Sequence, residues 1–378
     1  MLALAACSDQ TPVSGRATTA APLLSAGANA IAGAYVVVLN EGADARSVAA
    51  VAGVDPTYVY GAAINGFAAS LNEGQLNALR HNPAVSYIEQ DGRVELQTTQ
   101  SSATWGIDRI DQRGLPLSGT YNYNNTASTV RAYVIDTGID AGHAEFEGRA
   151  QTVYDAFGGN GNDCNGHGTH VAGTISGKLY GVAKKSMPRG VRVLDCNGSG
   201  SYSGIIAGVD WVRANHIKPA VANMSLGGGA STSVDDAVKN LSNAGVFVAV
   251  AAGNSNANAC NYSPARAAYG TAIAGVAAST STDYKANYSN YGNCVDLYAP
   301  GSSIKSAWIG SGTTETNTIS GTSMASPHVA GVGALYKGVY GDVSSATVHN
   351  WIINNATTGV IKSNPTGTPN RLLWKGSL

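Results

Sequence analysis

The chain has 378 residues, of which 44% are hydrophobic and only 12% are charged, and its formal net charge is −1. This length allows two or three domains, and 47 glycines suit a fold with many tight turns better than a helical bundle. Because there is no basic run, nucleic acid is not an expected partner, and no apolar stretch approaches the ~20 residues of a membrane-spanning helix.

Residues 1–32 predict a leader remnant and a linker. The sequence "LAAC" ends on Cys7 and resembles the lipobox of bacterial lipoprotein signal peptides, in which the cysteine carries a lipid. The stretch before Cys7 is shorter than a signal peptide and has no basic residue, so either the start is truncated or the match is chance. Residues 8–32 are rich in small and polar residues and predict a flexible linker.

Residues 33–97 predict a small α+β domain. Strand and helix patterns alternate along it, at 35–40, 43–52, 58–71, 73–83 and 85–96. Because 58–71 reads as two strands around an Asn-Gly turn, the order is β-α-β-β-α-β, that of the ferredoxin-like motif. The polar segment 97–104, "QTTQSSAT", predicts an exposed junction without secondary structure.

Residues 98–378 predict an α/β domain. Its apolar strand patterns lie at 130–136, 191–195, 221–226, 246–253 and 273–279. Helical patterns lie between them, at 169–177, 201–216 and 233–245. This alternation predicts a parallel sheet covered by helices on both faces. Ligands bind beyond the carboxyl ends of the strands in such sheets.

Three stretches place polar side chains at those ends. "VIDTGID" has Asp136 at the end of a strand, and "NGHGTHVAG" has His167 at a Gly-rich turn that opens a helix. "GTSMASPH" has Ser323 at the start of a predicted helix, 323–340, with Pro327 near its first turn. Singly, such residues are more often caps and turn residues. Together they give the order Asp…His…Ser, one of three chain orders of the hydrolase triad.

These motifs, with "VANMSLGGG" and "AVAAGN", resemble subtilisin-like serine proteases of the proteinase K branch. "WGIDRIDQRGLPLS", "DCNGHGTH" and "VLDCNGSGS" most resemble the aqualysin I group, and the resemblance runs from about Trp105 to the C-terminus. It implies a subtilisin-like parallel sheet with helices on both faces in residues 98–378. It also implies that residues 33–97 are an inhibitory propeptide whose end, "RVELQ", lies in the substrate cleft and is autocleaved near Gln97–Thr98.

The resemblance implies a role for each member of the triad. Ser323 attacks the scissile carbonyl, His167 takes its proton, and Asp136 holds the imidazole tautomer, without a catalytic metal. Asn254 matches the oxyanion-hole amide and acts with the backbone N–H of Ser323. His143, His170 and His328 receive no role.

Two further segments, "NGSGSY" and "SLGGG", resemble the edges that hold an extended peptide substrate by main-chain hydrogen bonds. The expected substrate-binding residues are Gly198, Ser199, Gly200, Ser225, Leu226 and Gly227, with Ala251, Ala252 and Gly253 as one wall of the specificity pocket. Because these segments are small and uncharged, large apolar or aromatic side chains before the scissile bond are expected. The alternative is that they are only core strands.

Four cysteines without a C-x-x-C pair favour two disulfides and an oxidising compartment over free thiols or zinc. Sequence alone allows three pairings; the resemblance implies Cys164–Cys196 and Cys260–Cys294. It also implies structural calcium, held by Asp296 or by Asp108, Asp111 and Gln112, where Ser118 replaces a carboxylate of some relatives. Carboxylates and carbonyls suit Ca²⁺, but a solvated surface is an equally good interpretation of these residues.

The sequence therefore predicts a monomeric serine endopeptidase of broad specificity, secreted or attached to the envelope through Cys7. It is expected to be a self-processed zymogen that cuts polypeptides and is inhibited by its own propeptide. The triad would also support an esterase, but the two peptide-binding edges favour polypeptide substrates. One rival hypothesis is a non-catalytic binding or scaffold protein of the same fold. Another is a narrow processing protease fixed to a membrane.

Overall fold

The computed structural model describes residues 20–26, 30–92 and 98–378. Cys7, most of the expected linker and the propeptide end at 93–97 lie outside these residues. The chain divides into two compact units between residues 96 and 97. Among the helices of the described residues, none has the length and apolarity needed to cross a membrane.

The first unit has the predicted ferredoxin-like order. Its strands are β1 (Leu23–Leu24), β2 (Ala30–Leu39), β3 (Tyr58–Tyr60), β4 (Gly66–Ser70) and β5 (Val85–Gly92). Its helices are α1 (Ala45–Val51) and α2 (Glu73–Arg80). The sheet order is β1-β5-β2-β4-β3, in which β1 pairs parallel to β5 and the other pairs are antiparallel.

Local sequence explains both helices of this unit. Asp44 caps α1 by accepting from Ser47 N, and Asn72 forms a capping box with Gln75 at the start of α2. The sheet and helices bury an apolar core that includes Val37, Phe67, Leu79 and Ile88.

The second unit contains a wide, mostly parallel sheet. Its strands are β6 (Thr98–Ser101), β7 (Thr120–Tyr123), β8 (Arg131–Asp136), β9 (Gln151–Asp155), β10 (Met187–Arg192), β11 (Ala220–Met224), β12 (Gly228–Gly229), β13 (Phe247–Ala251), β14 (Tyr262–Ser263), β15 (Ala274–Ser279), β16 (Leu297–Pro300), β17 (Ile304–Ala307), β18 (Thr316–Ile319), β19 (Thr357–Thr358) and β20 (Arg371–Leu372). Its helices are α3 (Trp105–Asp111), α4 (His167–Ser176), α5 (Tyr202–Asn215), α6 (Thr232–Asn243), α7 (Thr322–Tyr340) and α8 (Ser345–Asn355). Across the described residues, the sheet order is β19-β20-β16-β15-β13-β11-β8-β10-β9, with only the β19–β20 pair antiparallel.

Helices cover both faces of this sheet, as predicted. Along β8, Ala132 and Val134 point into the core that α4 and α7 share. Tyr133 and Ile135 point into the opposite core, formed with α5 and α6. Because the strand is buried on both faces, its apolar run is nearly continuous rather than alternating.

The prediction that 97–104 lacks secondary structure is wrong for Thr98–Ser101. These residues form β6, which pairs antiparallel with β7 in register Thr98↔Tyr123, and Gln100 Nε2 donates to Leu179 O at 3.0 Å. The sequence gives no apolar signal because this strand is held by backbone hydrogen bonds rather than by burial of its side chains. The sequence also did not predict α3 and α8, and β10 begins at Met187, before the expected 191.

The structure pairs the cysteines as the resemblance implied. Cys164 bonds to Cys196 with 4.9 Å between Cα atoms, and Cys260 bonds to Cys294 with 5.3 Å. Both distances lie in the usual range for disulfides.

Candidate active site

The three predicted triad residues lie at the carboxyl edge of the sheet or at helix starts. Asp136 is the last residue of β8, His167 is the first of α4, and Ser323 is the second of α7. Asp136 is fully buried, whereas the other two are partly exposed. Parallel topology thus places Asp136 at the edge of the sheet where ligands bind.

Asp136 and His167 form a direct pair. His167 Nδ1 lies 2.7 Å from Asp136 Oδ1, which also accepts from Thr137 N at 2.8 Å. With its proton on Nδ1, the imidazole presents Nε2 as a base. Burial lowers the pKa of His167. The charge of Asp136, the hydrogen bond to it and the charge of Asp163 outweigh burial, so the pKa is raised above 6.5.

Asp163 organises the turn in front of His167, and sequence analysis missed it. Its Oδ1 accepts from Thr137 Oγ1 and Gly166 N, both at 2.9 Å. Its Oδ2 accepts from Thr169 N at 2.9 Å and Thr169 Oγ1 at 2.6 Å. Its position four residues before His167, inside "NDCNGHGTH", was the available signal.

Gly166 allows the turn to approach a neighbouring ring. It has φ 106°, and a Cβ there would lie 2.4 Å from the ring of Trp308. Both the backbone conformation and the space therefore require glycine directly before His167.

Ser323 hydrogen-bonds to the substrate-edge segment. Its Oγ donates to Ser225 O at 3.2 Å, and Ser225 Oγ donates to Ser323 O at 2.7 Å. Pro327 lies inside α7 rather than near its first turn, which corrects the sequence-based prediction. Since proline has no N–H, it cannot donate to Ser323 O four residues earlier. The hydroxyl of Ser225 satisfies that carbonyl instead.

A buried chain of hydrogen bonds continues behind Ser225. Asn223 Nδ2 donates to Ser225 Oγ at 2.8 Å, and Ser326 Oγ donates to Asn223 Oδ1 at 2.7 Å. Asn223 and Ser326 are fully buried. The chain therefore links the end of β11 to the first turns of α7.

The amide of Asn254 has a fixed orientation. Its Oδ1 accepts from Thr322 N at 2.8 Å and from Thr322 Oγ1 at 2.9 Å. A Cβ at Gly321 would lie 3.4 Å from Asn254 Nδ2. Because the oxygen is occupied by Thr322, Nδ2 remains as a donor beside the turn that precedes Ser323.

Two cavities meet at the Ser225–Gly228 segment. One, of about 730 Å³, contains His167 and the expected edge residues Gly198, Ser199, Gly200, Ser225, Leu226 and Gly227. The other, of about 370 Å³, contains Ser323, Asn254 and the expected wall residues Ala251, Ala252 and Gly253. The structure therefore brings both predicted edges and the pocket wall to one cleft. No described residue lining the second cavity is charged.

Three other histidines make structural hydrogen bonds. His143 Nε2 contacts Glu315 O, His170 Nε2 contacts Ile304 O, and His328 Nδ1 contacts Met324 O, at 2.8 to 3.0 Å. Burial lowers the pKa of His170 and of His328 to about 4.

The expected calcium ligands near α3 are hydrogen-bonded within the protein. Asp108 Oδ1 accepts from Ser118 N at 3.2 Å and Ser118 Oγ at 3.0 Å. Asp111 Oδ2 accepts a backbone N–H at 2.7 Å, and Gln112 Oε1 accepts from Ser118 N at 3.1 Å. In this arrangement the oxygens face donors, so these residues do not fit a calcium ion.

Asp296, the other expected ligand, also has protein partners. Its Oδ2 accepts from Gly275 N at 2.9 Å and lies 3.6 Å from His349 Nε2. Nowhere in the described residues do three or more His, Cys, Asp or Glu side chains meet as a metal-binding group.

Sequence comparison finds two families. The Subtilase family matches residues 129–372, and the Peptidase inhibitor I9 family matches residues 34–97. The chain is 51% identical to an extracellular serine proteinase of Thermus sp. (strain Rt41A), over 99% of this chain and 97% of that protein. It is 44% identical to proteinase R of Parengyodontium album, over 94% and 92% respectively.

Structure comparison agrees with these matches. The fold superposes on the crystal structure of a cold adapted subtilisin-like serine proteinase with a TM-score of 0.70 and 52% sequence identity. The match covers 74% of this chain and 99% of that chain.

Proposed function

The chain belongs to the subtilase family, and we propose that it is an extracellular endopeptidase of broad specificity that processes itself. It is a subtilisin-like serine protease with an I9 propeptide, and so it is made as a zymogen. We propose, in addition, the roles of individual residues, the substrate preference, the cleavage site and the location.

The meeting of the two cavities at Ser225–Gly228 is the observation that carries the proposal. An extended peptide lying along this segment would place its scissile carbonyl beside Ser323 Oγ. Ser323 Oγ–H leaves Ser225 O and gives its proton to His167 Nε2 as the oxygen attacks the carbonyl carbon. Asn254 Nδ2 and the N–H of Ser323 hold the oxyanion. His167 then protonates the leaving amine, and water hydrolyses the acyl-enzyme by the same route.

The second cavity favours large apolar or aromatic side chains before the scissile bond. Its walls, Ala251–Gly253 and Ser225–Gly227, are uncharged and, apart from Leu226, built of small residues. A basic side chain would lose water there without meeting a carboxylate. We therefore infer chymotrypsin-like rather than trypsin-like preference at this position.

Residues 33–97 are proposed as the propeptide domain and 98–378 as the mature enzyme, with residues 1–32 removed. The I9 match ends at residue 97, which supports cleavage near Gln97–Thr98. The mature enzyme is proposed to act as a monomer.

Secretion is supported by the name of the Thermus relative, an extracellular proteinase. A lipid on Cys7 would attach only the unprocessed chain, and it would show in the intact mass of a membrane-associated zymogen.

Structural calcium remains a prediction from the family resemblance. Binding would require Ser118 to turn its donors away from Asp108 and Gln112. A higher melting temperature in calcium than in chelator would show that the folded protein binds calcium, and equal melting temperatures would contradict the prediction.

A peptide-library cleavage profile tests the proposed activity, with Ser323→Ala as the inactive control. Cleavage of many sequences, mostly after large apolar residues, is the expected result. Cleavage of one motif only would favour the narrow processing protease. A folded wild type that cuts nothing would favour the scaffold hypothesis.

A further inference from the structure

Asn290 is a fully buried asparagine that binds the segment on both sides of Asn254. Its Nδ2 donates to Ala252 O at 2.9 Å, and its backbone N donates to Gly253 O at 2.9 Å. Its Oδ1 accepts from Ser255 N at 3.0 Å and from Ala257 N at 2.9 Å. Sequence analysis gave this residue no role.

The contact between Asn290 and the segment is close. Gly253 has φ 99°, and a Cβ there would lie 2.4 Å from Asn290 Nδ2. Glycine at this position is therefore required by conformation and by space alike. The side chain of Asn290 thus takes the volume that any other residue at 253 would need.

Asn254 itself is exposed and lies between these anchored neighbours. Its side chain is oriented only through its oxygen, by Thr322. Thr322 Oγ1 also accepts from Gly253 N at 3.0 Å, which constrains the backbone on one side of Asn254. The hydrogen bonds of Asn290 hold the backbone on both sides of Asn254.

We propose that Asn290 is a positioning residue that holds the Asn254 amide where the oxyanion forms. This inference rests on the proposed oxyanion role of Asn254. Such donors stabilise the transition state only if they are held in place before the reaction, since reorientation would cost what the interaction gains. Displacement of a catalytic group by ~1 Å can lower the rate by about 10²-fold.

The test is a double-mutant cycle on kcat with the mature enzyme and a peptide amide substrate. Asn290→Ala is expected to lower kcat by ~10- to 100-fold on its own, and by less than about threefold in the Asn254→Ala background. Asn290→Asp keeps the size and both acceptors but loses the donor to Ala252 O, so it is expected to show the same pattern. If Asn290→Ala does not fold, Asn290→Asp is measured in its place.

Asn370→Ala is the matched control. Like Asn290, Asn370 bonds backbone groups through both atoms of its amide: Oδ1 accepts from Ile361 N at 2.9 Å, and Nδ2 donates to Ile361 O at 2.8 Å. The kcat of Asn370→Ala is expected to stay within about twofold of wild type, because mutations at distant sites without a shared partner act independently. A similar loss in this control would mean that the Asn290 effect is general destabilisation, which overturns the inference.

Two other outcomes distinguish a failure of this inference from a failure of the proposed oxyanion role of Asn254. If Asn290 variants lower kcat by the same factor with and without Asn254, Asn290 does not act through that amide and the inference is wrong. If Asn254→Ala alone leaves kcat unchanged, the oxyanion role fails and this inference fails with it.

Discussion

At the scale of residues, the chemistry depends on the charge and tautomer of His167. Asp136, fully buried and 2.7 Å away, fixes the proton on Nδ1. Asp163 adds a second negative charge and also holds the turn before His167 through Gly166 N. The motifs predicted the pair, but the position of Asp163 four residues before His167 did not by itself reveal its role, because its bonds to backbone N–H groups form only in the folded turn.

The raised pKa of His167 predicts the acid limit of activity. Only neutral imidazole can take the proton of Ser323, so kcat/KM is expected to fall as pH drops through a midpoint above 6.5. Asp136→Asn removes the largest cause that raises this pKa. The variant is expected to lose ~10⁴-fold in kcat and to shift the midpoint of its residual activity to lower pH. A wild-type midpoint at or below 6.5 would contradict this account.

The buried histidines predict a loss of stability in acid. His328 has a folded-state pKa of about 4, below the 6.5 of an exposed imidazole. Between these values the unfolded chain binds more protons, so stability is lost as pH falls from about 6.5 to about 4. His328→Gln removes this titration. The melting temperature of the inhibitor-inactivated mature enzyme is expected to fall less steeply with pH in the variant than in wild type. Parallel curves would be inconsistent with neutral His328.

At the scale of elements, α7 begins with a feature that sequence reasoning placed wrongly. Pro327 lies inside the helix and removes the donor for Ser323 O, and Ser225 Oγ takes its place. This exchange ties α7 to the substrate edge. The helix was predictable from its apolar pattern, but the tie was not, because it joins residues that are 98 positions apart.

Ser225→Ala is expected to destabilise the protein by about 1–3 kcal/mol, since Ser323 O would be left without a donor. Pro327→Ala restores a backbone N–H at the position that normally bonds that carbonyl. The double variant is therefore expected to be less destabilised than the sum of the two single variants. Denaturant unfolding of all four proteins measures this coupling, and strict additivity would refute the exchange.

At the scale of the whole molecule, the order of strands and helices could be predicted from the sequence, whereas strands held by pairing alone could not. The parallel sheet followed from apolar runs such as "VFVAVAAG" in β13, which burial on both faces demands. Strand β6 was missed because Thr98–Ser101 gains its pairing from β7 rather than from apolar contacts. The positions of Asn223 and Asn290 were likewise unpredictable, because they depend on contacts between distant segments.

The two disulfides are expected to differ in their effect on function. Cys164 and Cys196 join the turn before His167 to the segment before Gly198, and Asn165 Nδ2 donates to Cys196 O at 2.9 Å. Each disulfide closes a loop of similar length, with separations of 32 and 34 residues. Removal of either is expected to cost roughly 3–4 kcal/mol on the chain-entropy estimate.

Only removal of Cys164–Cys196 is expected to raise KM as well. Replacing both cysteines of each pair by alanine gives matched variants, for which melting temperature and KM are measured in parallel. Similar KM changes in both variants would contradict a specific link between this disulfide and the substrate edge.

The most direct test compares the full-length wild type with Ser323→Ala, by N-terminal sequencing and casein hydrolysis. The account predicts an active wild type that begins near Thr98 and an inactive variant that retains residues 33–97. That result would support both the triad and self-processing. If both chains were folded, uncut and inert, the catalytic assignment would be contradicted. If the variant were processed and active, Ser323 would not be the nucleophile.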